Sequence, residues 1–335
     1  MSVAPVFTVG AARNGTTMLG NQLALADEVC ALQHELHHGI HESNLYEHQR
    51  YWGPLDDPDA YLRFVYGYAS EDSFILADGE RDRYLEHPVS SVYELYFDLM
   101  DRYAERAGKR YWTTKVDPLL TLSDSAWRTF AEAVRTRYGE RARWIMIERE
   151  RLGAMRSYLF MEGRNRARRT HPLVRPFTIA LGAARYAHQY RGLRRLLADT
   201  DVLELAFADV VGDMAQTERT VDAYLGTQGA LGVGKPARFR KNTSHGKGER
   251  TDLSPGERRL VRAMTGLMDA VPPLASALYR SFEALKPKRD PSYRKLLKRA
   301  YFPEALAEEF ERVGAPDLKK RLDQAASAKT TEAHP

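Results

Sequence analysis

Five of the 10 histidines fall between His34 and His48, and the stretch HELHHGIHE, residues 34–42, contains a literal H-E-x-x-H. On a helix, His34 and His38 would share one face with Glu35 beside them. That is how a zinc hydrolase presents two imidazoles to a metal and a carboxylate to its bound water. Such a site needs a third ligand. The extended protease pattern asks for Gly at 41 and His at 44, where this chain carries His41 and Asn44. Zinc hydrolysis therefore ranks last among the chemistries considered, and the carboxylate and imidazoles are open to other uses.

A second stretch has a firmer context. VGAARNGTT, residues 9–17, passes from a β-branched and aromatic run through Gly10, four residues and Gly15 into Thr16 and Thr17, which open a helical pattern. A strand, a glycine turn and a helix start aim several backbone N–H groups at one point and make an anion site. The pattern resembles the nucleotide P-loop G-x-x-x-x-G-K-[ST], but Thr16 takes the place of the lysine and the cation sits inside the loop, at Arg13. A kinase or ATPase would lack its phosphate-clamping lysine here.

With Arg13 and the paired threonines, the loop is similar to the 5′-phosphosulfate loop of sulfotransferases that use 3′-phosphoadenosine-5′-phosphosulfate (PAPS). That loop is commonly P-R-S-G-T-T, and Asn14 replaces its serine. The resemblance implies that Arg13, Asn14, Gly15, Thr16 and Thr17 hold the 5′-phosphate and sulfuryl end of the donor. Four further pieces follow in the family's order and carry the resemblance over residues 5–270. WIMIERERLGAMRSYL puts Arg149 at a strand end and Ser157 eight residues later on a helix, which implies the family's pair for the 3′-phosphate. A guanidinium fork plus a hydroxyl suits a dianion. RERLG stands where the family usually reads R-D-P. RYWTTKVDPLL, residues 110–120, is similar to the K-x-P segment of the bacterial and tyrosylprotein branch, with one extra residue before Pro118. It implies that Lys115 contacts the bridging oxygen of the donor. LELAFADVVGDMAQTERTVDAYLG, residues 203–226, resembles the family's strand, E-D-L-like turn and helix, a scaffold piece. FRKNTSHGKGER, residues 239–250, lies where the family has a basic loop over the nucleotide; Arg240 and Lys241 match its R-K pair, with Asn242 for the usual Gly.

An acceptor hydroxyl must lose its proton as it attacks sulfur, so a base is required. By the resemblance, that base is a glutamate seventeen residues beyond the loop, or a histidine in the cytosolic branch. Counting seventeen from Thr17 reaches His34, with Glu35 beside it. Glu35 is the first choice by residue type and His34 the second. Lys115, Arg13 and the loop N–H groups would meet the developing charge, so no metal is expected. A P-loop nucleotide kinase or phosphotransferase and a non-catalytic nucleotide-binding module are the competing readings.

These residues need a scaffold to bring them together. β-Branched and aromatic runs predict strands at 5–10, 110–115, 143–149 and 202–206. Helical spacing follows Thr16 and fills 90–107, 124–138, 152–162, 178–198, 214–225 and 255–270. Strands alternating with helices predict an α/β, three-layer P-loop-like fold, a central parallel sheet flanked by helices. One such domain is expected over residues 1–286, with a Tyr-, Asp- and Gly-rich acceptor-side insertion at 40–85 that is partly helical near 58–68. A charged helical extension over 287–320 and a disordered tail over 321–335 complete the chain.

Composition excludes several classes. The 335 residues are 43% hydrophobic and 28% charged, as in a globular domain. No apolar run is long enough to span a bilayer, and MSVAPVFTVG has neither the basic nor the apolar region of a secretory signal. Cys30 is the single cysteine, so an internal disulfide and a cysteine zinc cage are excluded, and a cytoplasmic location is expected. Lys and Arg number 50 against 45 Asp and Glu, a modest net +5 spread along the chain with local knots at 164–170 and 235–250. No nucleic-acid-binding module accompanies them. The expected partner is a small-molecule, glycan or peptide acceptor rather than nucleic acid.

Overall fold

Strand β1 (Ala4–Val9) is buried at all six positions, as a strand covered on both faces must be. The computed structural model describes residues 2–31, the strand residues 33–34, 39–40 and 42–43, then 83–84, 89, 91–116, 118–162, 174–235 and 253–285. With β1, the strands β2 (Val29–Cys30), β6 (Tyr111–Val116), β7 (Arg143–Glu148) and β8 (Val202–Ala206) make a parallel sheet in the order β2-β6-β1-β7-β8. Between β2 and β6 in sequence lie β3 (Gln33–His34), β4 (Gly39–Ile40) and β5 (Glu42–Ser43). β3 and β4 pair antiparallel with each other, and β5 runs parallel beside the end of β6.

Alternation along the strands sorts the core into two faces. Phe7, Val9, Trp112, Trp144 and Met146 pack with α2 (Val92–Arg106) and α3 (Asp124–Tyr138). The Phe7 ring meets Trp112 and Phe130 edge-on, each at 5.6 Å between centroids. On the other face, Val6, Tyr111, Ile145 and Ile147 pack with α1 (Thr16–Leu23) and α7 (Met214–Leu225). The three layers expected from the alternating pattern are present.

A third apolar cluster lies outside that scheme. Ala11 packs with residues of α4 (Arg151–Glu162), α5 (Val174–Leu196) and α8 (Pro255–Ala270). A last helix, α9 (Pro272–Leu285), packs mainly on α5. The sequence did not predict α9, because Val-Pro-Pro reads as a break; Pro272 instead starts a new helix at a position where its missing N–H costs nothing. The E-D-L-like turn is a short helix, α6 (Phe207–Gly212). Residues 42–43, placed in an insertion by composition, belong to the main sheet through Glu42↔Lys115 and Ser43↔Val116, a pairing too short to leave a periodic signal. The predicted helix near 58–68, the extension over 287–320 and the tail over 321–335 lie outside the described residues. Among the described residues no helix is long and apolar enough to cross a membrane.

Candidate functional site

β1 has β6 on one side and β7 on the other, so the chain's wiring switches direction at its carboxyl end. Open parallel sheets form their ligand crevice at such a point. The glycine loop occupies it. A Cβ on Gly10 would lie 2.7 Å from the Ile147 carbonyl, so only glycine lets the chain leave β1 beside β7. The next four residues close a turn in which the Asn14 N–H donates to the Ala11 carbonyl at 3.1 Å. Arg13 holds φ at 75°, in the left-handed region. Gly15 follows at φ 103° as the N-cap of α1, and a Cβ there would lie 2.6 Å from the Phe207 ring. The first N–H groups of α1 have no intrahelical acceptor and form the positive end of its dipole.

Three elements bring side chains to this turn. From β6, Lys115 reaches Thr17, its ammonium donating to Oγ1 at 3.2 Å, although only 9% of the lysine is exposed. From α4, Ser157 accepts from Arg13 Nε at 3.0 Å. Asn14 is fully buried and donates from Nδ2 to the Ile147 carbonyl at 3.2 Å. Arg149, just past β7, lays its guanidinium over the Phe207 ring with 4.3 Å to the centroid. Gly153 leaves room for it, since a Cβ there would lie 3.0 Å from Arg149 Nε. The Arg149 carbonyl accepts from the Tyr186 hydroxyl at 2.8 Å. Burial pushes that phenol up to about 12, so it stays a donor at neutral pH.

Arg13, Asn14, Gly15, Thr16, Thr17, Lys115, Arg149 and Ser157 thus stand around one loop at the sheet's carboxyl edge. Arg149 and Ser157 were expected as one pair; Ser157 is bonded to Arg13, and Arg149 is stacked on Phe207. His34 lies in β3, its register partner Gly39 in β4. The helical face that H-E-x-x-H needs is therefore missing at its first histidine, which removes the zinc-helix geometry. Glu35, Arg240 and Lys241 lie outside the described residues.

Sequence reasoning missed Phe207, Gly153, Gln189 and Glu42. Glu42 occupies the register position beside Lys115, and Gln189 accepts from the Ala12 N–H at 2.9 Å. Phe207 had a usable signal, an aromatic opening the turn after a strand. Gln189 had none, being 177 residues from its partner.

No family model and no curated protein matches the chain. Solved structures do match in overall shape. The sulfotransferase domain from the curacin biosynthetic pathway is 12% identical, covering 80% of this chain and 98% of that one at a TM-score of 0.49. A sulfotransferase from Mycobacterium avium is 15% identical, with 81% and 76% covered and a TM-score of 0.42. One from Alicyclobacillus acidocaldarius is 14% identical, with 84% and 96% covered and a TM-score of 0.43. All three are sulfotransferases. The identities are low and the superpositions loose, so the functional conclusion has to come from the site's own residues.

Proposed function

We propose that this protein transfers a sulfuryl group from PAPS to a hydroxyl or amine of a small-molecule, glycan or peptide acceptor. The supporting observation is that two anchored cations meet at one glycine turn: Lys115, reaching it from β6 through Thr17, and Arg13, within the turn and tied to Ser157. Anchored guanidinium and ammonium groups around a helix N-terminus suit a donor with anionic groups at both ends. In this reading the loop and Arg13 take the 5′-phosphate and sulfuryl end, and Arg149 with Ser157 takes the 3′-phosphate. Phe207 backs Arg149 on one flank and excludes any side chain at position 15 on the other. Arg240 and Lys241 would close over the nucleotide, and residues 40–85 would face the acceptor.

The reaction is an in-line displacement. A base accepts the acceptor proton, the acceptor oxygen or nitrogen forms a bond to sulfur, and the bond from sulfur to the bridging oxygen breaks. Adenosine 3′,5′-bisphosphate (PAP) leaves. Lys115 stabilises the charge growing on the bridging oxygen, and Arg13 with the α1 N–H groups stabilises the equatorial oxygens. Positioning and charge account for most of the acceleration, as in phosphoryl transfer. Glu35 is the first candidate base and His34 the second. A P-loop phosphotransferase is disfavoured because Thr16 stands in the lysine position.

Sulfur-labelled PAPS offered with a panel of sugars, phenols and peptides tests the reaction. Label should move to at least one acceptor with one PAP released per transfer. Phosphate transfer from ATP with Mg²⁺, and no label moved, would establish the phosphotransferase instead.

A further inference from the structure

We infer that Gln189 is a positioning residue that holds the glycine turn in its anion-receiving shape, with Tyr279 fixing Gln189 in turn. This goes beyond the proposed reaction, and its consequence for donor affinity rests on that reading. Gln189 sits on α5 and is fully buried; Tyr279, on α9, is 1% exposed. The Gln189 carboxamide oxygen accepts from the Ala12 N–H at 2.9 Å, and its NH₂ donates to the Tyr279 hydroxyl at 2.9 Å. The amide orientation follows from chemistry: the backbone N–H can only donate, so the oxygen must face it.

The turn needs holding. Asn14 N–H bonds back to the Ala11 carbonyl, which makes Arg13 the third residue of a β-turn, and its φ of 75° is the value a type II turn demands there. Glycine normally fills that place. Among the described residues Arg13 is the one non-glycine at positive φ. Such a residue persists only where its surroundings over-determine it. Relaxation to a type I turn would return Arg13 to ordinary φ by flipping the Ala12–Arg13 peptide, which turns the Arg13 N–H to the opposite face of the turn.

Side-chain bonds fix the residues on either side of that peptide: Arg13 to Ser157, Asn14 to the Ile147 carbonyl, and Ala12 to Gln189, which pins the Ala11–Ala12 peptide and with it the first corner of the turn. Arg13, Asn14 and Ser157 are assigned to the ligand in the proposed reaction and can be drawn to it. Gln189 is not, so nothing in the proposed reaction draws its tether away. It also links the loop to α5 and α9, the layer that the three-layer scheme did not anticipate.

The test replaces Gln189 by Met, which keeps its length and loses both bonds, alone and combined with Ala12→Pro, which removes the N–H that Gln189 accepts. Amide exchange should quicken about tenfold at residues 11–15 in Gln189→Met while β1 keeps its protection. The PAP dissociation constant should rise about tenfold, and in the Ala12→Pro background Gln189→Met should add nothing. Unchanged exchange at residues 11–15, or an equal loss of PAP affinity in both backgrounds, would overturn the inference. Absence of PAP binding by the unaltered protein would remove the sulfotransferase reading and leave the exchange measurement to decide on Gln189. Should Gln189→Met fail to fold, Tyr279→Phe frees the amide without removing it. It should quicken the same amides by a smaller factor, and no change there would equally overturn the role.

Discussion

Lys115 is the side chain on which the proposed chemistry depends most. It is nearly buried and directed at Thr17, which sets its ammonium beside the opening of α1. Lys115→Ala should therefore cut sulfuryl transfer by about a hundredfold or more, the usual loss for one preorganised charge-stabilising group, while the PAP dissociation constant moves by less than about threefold. Equal losses in both would make Lys115 a binding residue only. The base is tested in the same assay. Glu35→Ala should abolish transfer with PAP binding intact, and full activity would shift the role to His34. Glu42, at the register position beside Lys115, is the control that composition did not suggest; loss confined to Glu42→Gln would place the base on β5.

The elements explain why the loop's two glycines cannot be replaced. Gly10 leaves β1 against the Ile147 carbonyl, and Gly15 begins α1 against Phe207 at a φ of 103°. Gly15→Ala adds a steric clash to a left-handed conformation that by itself costs a non-glycine residue about 1–2 kcal/mol. It should lower PAP affinity and melting temperature together, and Phe207→Leu in the same chain should recover part of both by giving the methyl room. No recovery would mean that backbone conformation alone matters. The same elements show what was legible. β1 and the middle of β7 were readable as short apolar runs buried on both faces, and β6 and β8 through their aromatic and aliphatic residues, although Lys115 and Glu204 interrupt them. The carboxyl edge was readable through a glycine turn and cations at strand ends. α9 was hidden by a Pro-Pro start, β5 by its two residues, and the true state of His34 by a histidine-rich stretch that suits a helix and a hairpin equally. Gln189 was illegible in principle, because a mid-helix glutamine carries no mark of the distant N–H it will meet.

At the scale of the whole molecule, α5 joins the sheet edge to the helices behind it. Beside Gln189 on that helix, His188 is buried, with Nε2 3.1 Å from the Thr121 carbonyl and Nδ1 2.9 Å from Ser276 Oγ. A nitrogen facing a carbonyl must carry the hydrogen, so Nε2 donates to Thr121; in the neutral ring Nδ1 then accepts from Ser276. Burial is the main cause holding its pKa below the ordinary 6.5; the Thr121 bond opposes the shift, and Arg280, Arg191 and Arg195 add to it. The unfolded chain therefore binds more protons than the folded one below the ordinary value, and stability falls as pH drops through that range. The melting temperature should fall more between about pH 7.5 and about pH 5.5 in the unaltered protein than in His188→Gln, and parallel curves would show that His188 does not titrate with folding. In the proposed reaction the crevice at the end of β1 takes a nucleotide phosphorylated at both the 3′ and 5′ positions. Calorimetric titration with PAP, AMP and ATP with Mg²⁺, on the unaltered protein and on Arg149→Ala, measures that claim directly. PAP should bind at least about tenfold more tightly than AMP, and Arg149→Ala should erase most of that margin. ATP with Mg²⁺ binding as tightly as PAP, or no preference for the 3′-phosphate, would contradict the account.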